Sequence, residues 1–406
     1  MAQPGPEVAW VGLGAMGSGM ARTLLHHGVR VAGFDVNPAA VAAFAAAGGR
    51  PCAAVAETLA GGAAALCVMV ATAAQAEAVL YGPGGALEHL APGALVVLTA
   101  TVPPAFARAT EAKLAERGVL FLDAPVSGGT AKAAQGKLTI MCGGSPAAWE
   151  AGGYLLELLS ERLYNVGGAG DGSSVKMVNQ LLAGAHIATA AEAMALGARA
   201  GLNTRMLYDI ISNAAGASWM FNNRVPHMLD DDFTPHSAVD IFVKDLGIVL
   251  DEARGLKFPL PVASTAHQQF LLTSAAGMGR FDDAAVVKVF ERLTGATVAS
   301  VPDDAGVGFD ALTSRLPPPW PKDELETIRR GLAEEATPQL VVLVGGPGGA
   351  RTRGAAGPSE TDCRRRHRRT TTPRAPRRCT ASTCSRSGRS RRCGSSSPRA
   401  ASGSSS

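Results

Sequence analysis

Val8-Ala9-Trp10-Val11 runs straight into Gly12-Leu13-Gly14-Ala15-Met16-Gly17, the pattern of a buried strand followed by a GxGxxG. A GxGxxG alone carries little weight in a chain with 48 glycines, so its setting has to decide. Here a strand is expected to end at Val11, a helix to begin at Ala15, and a second strand to end in Asp35, 23 positions beyond Gly12. That is the setting of a dinucleotide-binding turn. Gly12 permits the tight turn, Gly14 lets the backbone approach a pyrophosphate, and Gly17 lets helix and strand pack closely. The helix N-terminus offers unpaired N–H groups and the positive end of its dipole to the phosphates. Asp35 would accept hydrogen bonds from ribose hydroxyls and repel a 2′-phosphate. Val36, Asn37 and Pro38 follow it, and the next arginine is Arg50, so the sequence predicts NAD in preference to NADP.

Outward from this turn, short apolar runs alternate with helical stretches. Strands are predicted at 7–11, 29–34, 65–70, 94–98, 119–122, 138–142 and 162–166, with Ala-rich helices at 15–27, 38–47 and 103–117. The runs are too apolar for strands wetted on one face, so the fold class is α/β, a mostly parallel sheet of Rossmann type covered by helices. After Gly167-Gly168-Ala169-Gly170 no convincing strand appears. Helices are predicted at 173–200, 203–215, 238–255, 263–275 and 282–293, with Asp282 as an N-cap. The expected organisation is a cofactor domain at 1–168, an all-α substrate and oligomerisation domain at 169–297, a linker with a short helix at 298–338, and a disordered Arg/Ser-rich tail at 339–406.

With 406 residues, 47% of them hydrophobic, the chain can bury more than one core. Its net charge of +4 conceals two opposite parts. Residues 1–350 hold 23 basic and 32 acidic side chains, net −9, whereas 351–406 hold 15 arginines against Glu360 and Asp362, net +13. The tail has no lysine and no aromatic residue, and its mixture is what GC-rich codons yield out of frame. It is therefore expected to be a truncated or frameshifted reading, with no nucleic-acid partner. No uninterrupted apolar run reaches the roughly 18–20 residues that a bilayer demands, and the start of the chain lacks the pattern of a secretory signal. A cytoplasmic protein without a membrane partner is expected. Cys52, Cys67 and Cys142 sit at no ligand spacing and are read as small buried hydrophobes, and no metal site is predicted.

Four motifs stand in order: Gly12–Gly17 with Met20-Ala21; Asp123-Ala124-Pro125-Val126-Ser127-Gly128-Gly129; Lys176 on a helix after a Gly-rich turn; and Lys244-Asp245-Leu246. Together they resemble the β-hydroxyacid dehydrogenases, the family that includes the 3-hydroxyisobutyrate dehydrogenases. The resemblance runs from Val8 to Leu293. More particular phrases at 99–104, 176–184, 218–221, 224–229 and 238–245 are similar to the subgroup acting on four-carbon sugar acids such as L-threonate. That resemblance implies NAD-dependent oxidation of a C2 hydroxyl. It also implies that Ser127, Gly128 and Gly129 bind the substrate carboxylate. Leu13, Ala15 and Met16 would then line the cofactor turn, with Val70, Ala71 and Thr101 as further cofactor contacts. Lys244 would lie over the cofactor, and the helical domain would mediate a homo-oligomer.

The residues support the same chemistry independently. Removing hydride from a carbinol carbon requires loss of the hydroxyl proton, and a lysine accepts a proton only when neutral. Burial and a positive ring beside it both favour the neutral amine. Lys176, just past the Gly-rich junction, is assigned as the base. Asn179 and Gln180, at i+3 and i+4, share its helix face and are expected to position the amine and bind the small-molecule substrate. The broad family usually has Asn where Gln180 stands, which favours the sugar-acid subgroup over a 3-hydroxyisobutyrate dehydrogenase or a tartronate-semialdehyde reductase. A non-catalytic, chromatin-associated module of the same fold need not keep Lys176, and this chain does. His186, His227 and His267 are read as structural, Trp219 and Phe221 as pocket wall or core, and Asp230-Asp231-Asp232 as a solvated loop.

Overall fold

A computed structural model describes residues 7–300; the expectations for 301–338 and for the tail at 339–406 fall outside the described residues. Nine strands form one sheet: β1 (Val8–Val11), β2 (Val31–Phe34), β3 (Arg50–Pro51), β4 (Ala65–Val68), β5 (Leu95–Leu98), β6 (Leu120–Asp123), β7 (Val126–Ser127), β8 (Leu138–Gly144) and β9 (Ser160–Gly167). The first six are parallel in the order β3-β2-β1-β4-β5-β6. β8 adds antiparallel to β6, β7 pairs antiparallel with β8, and β9 runs parallel to β8. The parallel order reverses direction between β1 and β4, the crevice where open sheets of this kind bind ligands. β3 and β7 have two residues each, too short for a period to announce them.

Both faces of the central strands are buried, which explains their continuous apolar runs. Val8 and Trp10 of β1 face one core with Met20, Leu24, Phe44 and Leu155, while Ala9 and Val11 face the other with Leu66, Leu80 and Leu114. The first core is covered by α1 (Ala15–His26), α2 (Pro38–Ala46) and, later in the chain, α7 (Pro146–Leu159). The second is covered by α3 (Val55–Leu59), α4 (Ala73–Tyr81) and α5 (Pro104–Ala115). The short α6 (Gly129–Ala134) lies against α1, where Thr23 Oγ1 donates to the Ala133 carbonyl at 3.0 Å.

Between Asp171 and Thr294 the structure is helical: α8 (Asp171–Arg199), α9 (Thr204–Ser212), α10 (Trp219–Asp230), α11 (Val239–Gly255), α12 (Pro261–Thr273) and α13 (Val287–Thr294). α8 is the central rod, and Ile187, Ala191 and Met194 pack against Phe221, Val225, Phe242 and Phe270. Among the described residues it is also the one helix long and apolar enough to cross a membrane, yet half of its most apolar stretch is buried by its neighbours. α10 escapes sequence reading because Pro226 lies inside it. It persists because Ser218 caps it, accepting from Phe221 N at 3.0 Å, and because Val225, Met228 and Leu229 are buried. Asp282 caps a short 3-10 turn at Asp283–Val286 that leads into α13. It also accepts from His227 Nδ1 at 3.2 Å, while Arg224 grips Asp283 with two nitrogens, so His227 has a structural partner. Val298 is buried in this helical core.

Candidate active site

The turn after β1 contains two kinds of glycine. Gly12 has φ +98°, and a Cβ there would lie 2.1 Å from the Met69 carbonyl oxygen just beyond β4. A Cβ on Gly17 would lie 2.0 Å from the Gly12 carbonyl oxygen. These two are demanded by chain packing on chain. Gly14 has an ordinary φ of −66°, and nothing lies within 4 Å of where its Cβ would be. The space beside Gly14 faces outward, at the N-terminus of α1, which has no side-chain cap. Its first N–H groups remain open to an anion.

Asp35, at the end of β2, closes the other side of the turn. Its Oδ2 accepts from Leu13 N at 2.6 Å and its Oδ1 from Asn37 N at 2.8 Å. A carboxylate has about four acceptor positions, so two remain for ribose hydroxyls. Bare Gly14, the uncapped helix and the tethered carboxylate fit an adenine dinucleotide. Val70 and Ala71 follow β4 at the same strand ends, with Ala71 N donating to Gln75 Oε1 at 2.9 Å. Thr101 follows β5, and its carbonyl accepts from Lys244 Nζ at 3.1 Å.

That last contact carries the path into the helices. Lys244 on α11 also places its ammonium 2.7 Å from Asp245 Oδ1, without the alignment of a hydrogen bond. The other oxygen of Asp245 accepts from Gln180 Nε2 at 2.5 Å, and Gln180 Oε1 accepts from Asn179 Nδ2 at 2.9 Å. Lys176 stands one turn before Gln180 on α8 and is 7% exposed. Burial lowers its pKa from the ordinary 10.5 to about 8; Asp245 opposes that fall and Lys244 reinforces it. The structure thus joins Lys176, Gln180, Asp245, Lys244 and Thr101 in one electrostatic group. Gln180 has both ends of its amide engaged, so its visible work is to hold Asp245.

The N-terminus of α8 is pinned from the sheet. Asp123, fully buried at the end of β6, accepts from Gly170 N at 3.0 Å, Ser173 N at 2.8 Å and Ser173 Oγ at 2.7 Å. Burial pushes its carboxyl above the usual range, and these three donors work against the rise. Asp123 and Asp245 are the residues that sequence reasoning left without a role. The motif at 123–129 gives Asp123 no role by itself, and Asp245, next to Lys244, carries no sequence signal that it reaches across to α8.

Ser127, Gly128 and Gly129 form the turn from β7 into α6, with φ +138° at Gly128 and +74° at Gly129. Among the described residues no hydrogen bond or ion pair joins this turn to Lys176. An open recess of about 790 Å³ near Ser145, Trp149 and Asn165 is bordered by Gly167 and Gly168 of the Gly-rich junction and contains none of the candidate catalytic or cofactor residues. Trp219 is exposed, Phe221 is core, and His267 Nε2 lies 2.9 Å from the Val243 carbonyl. Asp230 and Asp231 pair with Arg205 and Lys288. The three body cysteines are free and buried, and burial pushes the Cys67 and Cys142 thiols up to about 12.

Comparison with known proteins covers the same span. A family model described as the NAD-binding domain of 6-phosphogluconate dehydrogenase matches residues 7–168. A second, described as the NAD-binding part of NADP-dependent 3-hydroxyisobutyrate dehydrogenase, matches 170–290. The L-threonate dehydrogenase of Cupriavidus necator is 53% identical over 285 residues, 70% of this chain and 96% of that one. Its counterpart in Escherichia coli is 48% identical over 289 residues, 71% of this chain and 96% of that one. A crystal structure of a 3-hydroxyisobutyrate dehydrogenase from Salmonella typhimurium, 47% identical, superposes with a TM-score of 0.67 over 70% of this chain and 99% of its own. The chain belongs to the 3-hydroxyisobutyrate dehydrogenase-like family of β-hydroxyacid dehydrogenases and is an NAD(P)-dependent oxidoreductase of hydroxy acids.

Proposed function

We propose that the protein oxidises the C2 hydroxyl of L-threonate to 2-dehydro-L-erythronate with NAD, using Lys176 as general base. The observation that carries the chemistry is the burial of Lys176, which lowers its pKa to about 8. At pH 7 about one such amine in ten is neutral, against fewer than one in a thousand for an ordinary lysine. A neutral amine takes the hydroxyl proton as the C–H bond breaks and returns it in the reverse direction. NAD, when bound, accepts the hydride.

Each remaining group has a defined task in this reading. Residues 1–168 carry the cofactor through Gly12, Leu13, Gly14, Ala15, Met16, Gly17, Asp35, Val70, Ala71 and Thr101, and residues 169–297 carry the base. Ser127, Gly128 and Gly129 offer a hydroxyl and backbone N–H groups to the substrate carboxylate. Gln180 holds Asp245, Asn179 holds Gln180, and Lys244 ties this group to the strand end at Thr101. Asp35 favours NAD, since a 2′-phosphate would meet its negative charge. The substrate choice rests on relatives that share about half their residues with this chain over nearly their whole length. A second reading, 3-hydroxyisobutyrate as substrate, is favoured by the name of the Salmonella structure.

The deciding experiment measures NADH formation by the purified chain with L-threonate, other four-carbon sugar acids and 3-hydroxyisobutyrate, each with NAD and NADP. The reading expects L-threonate with NAD to give the highest kcat/KM, and it fails if 3-hydroxyisobutyrate or NADP does. A cytoplasmic homo-oligomer is part of the proposal. Val178 and Leu182 on α8 are about half exposed, and Val262 on α12 is 65% exposed, an apolar face suited to a second copy. Sedimentation of a monomer alone would remove that part.

A further inference from the structure

Gly172 and Ser173 in the first turn of α8 are buried, and buried helix starts leave N–H groups that need acceptors. A Cβ on Gly172 would lie 2.4 Å from the Asp123 carbonyl oxygen and 2.5 Å from that of Met141, so the helix is seated directly on the end of β6 and the middle of β8. The acceptor comes from 47 to 50 residues earlier in the chain: the Asp123 carboxylate takes two backbone N–H groups and the Ser173 hydroxyl. We propose that Asp123 is a positioning residue, a cap that the cofactor sheet supplies to the helix bearing Lys176, so that the base is held at a fixed height above the strand ends.

The register follows from helix geometry. Ser173 and Lys176 are three residues apart, about 4.5 Å along the axis and on one face. A first turn that loses its acceptor frays into water, and the next group reached is Lys176. Its surroundings are then set by hydration, and by Asp245 and Lys244 from α11 as before; Asp171 and Cys142 face Asp123 from α8 and β8. Water at Lys176 favours the ammonium, so the loss of the cap raises the pKa of the base instead of only weakening the fold. The inference rests on Lys176 being the base, and the experiment separates the two claims.

Asp123→Ala removes all three contacts. Asp123→Asn keeps them in principle, with the amide nitrogen turned to the Ser173 oxygen. Ser173→Ala removes one and leaves the backbone pair. The pH profile of kcat and the pH dependence of acylation of the Lys176 amine, read by mass spectrometry on the full chain, report the same proton by independent routes. The Asp123→Ala protein is expected to show turnover at pH 8 lower by about tenfold, an acid limb and an acylation midpoint higher by about one unit, and unchanged NAD affinity. Asn is expected to restore both, and Ser173→Ala to shift both in the same direction by less. Unmoved midpoints in a folded Asp123→Ala protein overturn the proposal, as does an Asn variant as impaired as Ala. If Asp123→Ala does not fold, an unmoved Ser173→Ala midpoint overturns it. If the acylation midpoint moves but the activity limb survives Lys176→Ala, the cap stands and the catalytic reading of Lys176 falls.

Discussion

The turn after β1 and the opening turns of α8 are both helix starts at the ends of strands, yet they are built in opposite ways. At the first, side chains are removed: Gly12 and Gly17 clear the way for backbone, and Gly14 leaves open space above an uncapped helix. At the second, side chains are brought in: Asp123 plugs the helix start, and Asp245 and Lys244 set the charge around a buried amine. A site made of vacated backbone binds by shape and dipole. A site made of buried charges depends on partners far away in the chain, and each partner sets its proton affinity.

Lys176→Ala breaks the contrast most sharply. Turnover should fall by roughly 10²–10⁴-fold while NAD affinity, measured by fluorescence titration, stays nearly intact. Lys176→Met adds a stability readout whose sign is fixed by linkage. The folded pKa of Lys176 lies below its ordinary value, so stability owed to this group rises with pH between about 8 and 10.5. The Met variant should therefore exceed the wild type by about 3 kcal/mol at pH 7 and lose that advantage as pH approaches the upper limit.

Gly14→Ala and Gly17→Ala test the first site. The Gly14 change should weaken NAD binding by about tenfold with Tm unchanged, because only a ligand meets the new methyl group. The Gly17 change should lower Tm, since its methyl meets the Gly12 carbonyl. Thermal melts with and without NAD distinguish them. Smaller again are two opposite shifts at the second site. Asp245→Asn removes a charge that raises the Lys176 pKa, so the acid limb of kcat should move down by about a unit. Lys244→Met removes a charge that lowers it, so the limb should move up. Asp35→Ala is the mildest case, narrowing the preference for NAD over NADP by about fivefold in kcat/KM.

The contrast also explains what could be read in advance. The parallel strands, Gly12–Gly17, Asp35 and the helical second half are local patterns, and residues within a few positions of one another announce them. Lys176 could be named because it follows the Gly-rich junction at 167–170. Its surroundings could not, since Asp123 lies 50 residues before Ser173 and Asp245 lies 65 after Gln180. Those contacts exist only once α8 is seated on the sheet and α11 is laid against it. Gln180 also spends part of its amide on Asp245 and Asn179, contacts that no spacing encodes, and keeps one N–H and one acceptor position for a substrate. α10 was hidden for a different reason: Pro226 is a local signal against a helix that tertiary burial overrides.

The proposed chemistry turns on a single proton. Lysine side-chain NMR of the full chain across pH, with the Lys176→Arg protein to identify the resonance, reports that proton without substrate or cofactor. A midpoint near 8 is predicted; a midpoint at the ordinary 10.5 would mean that the amine remains charged throughout the working range and cannot take the substrate's proton.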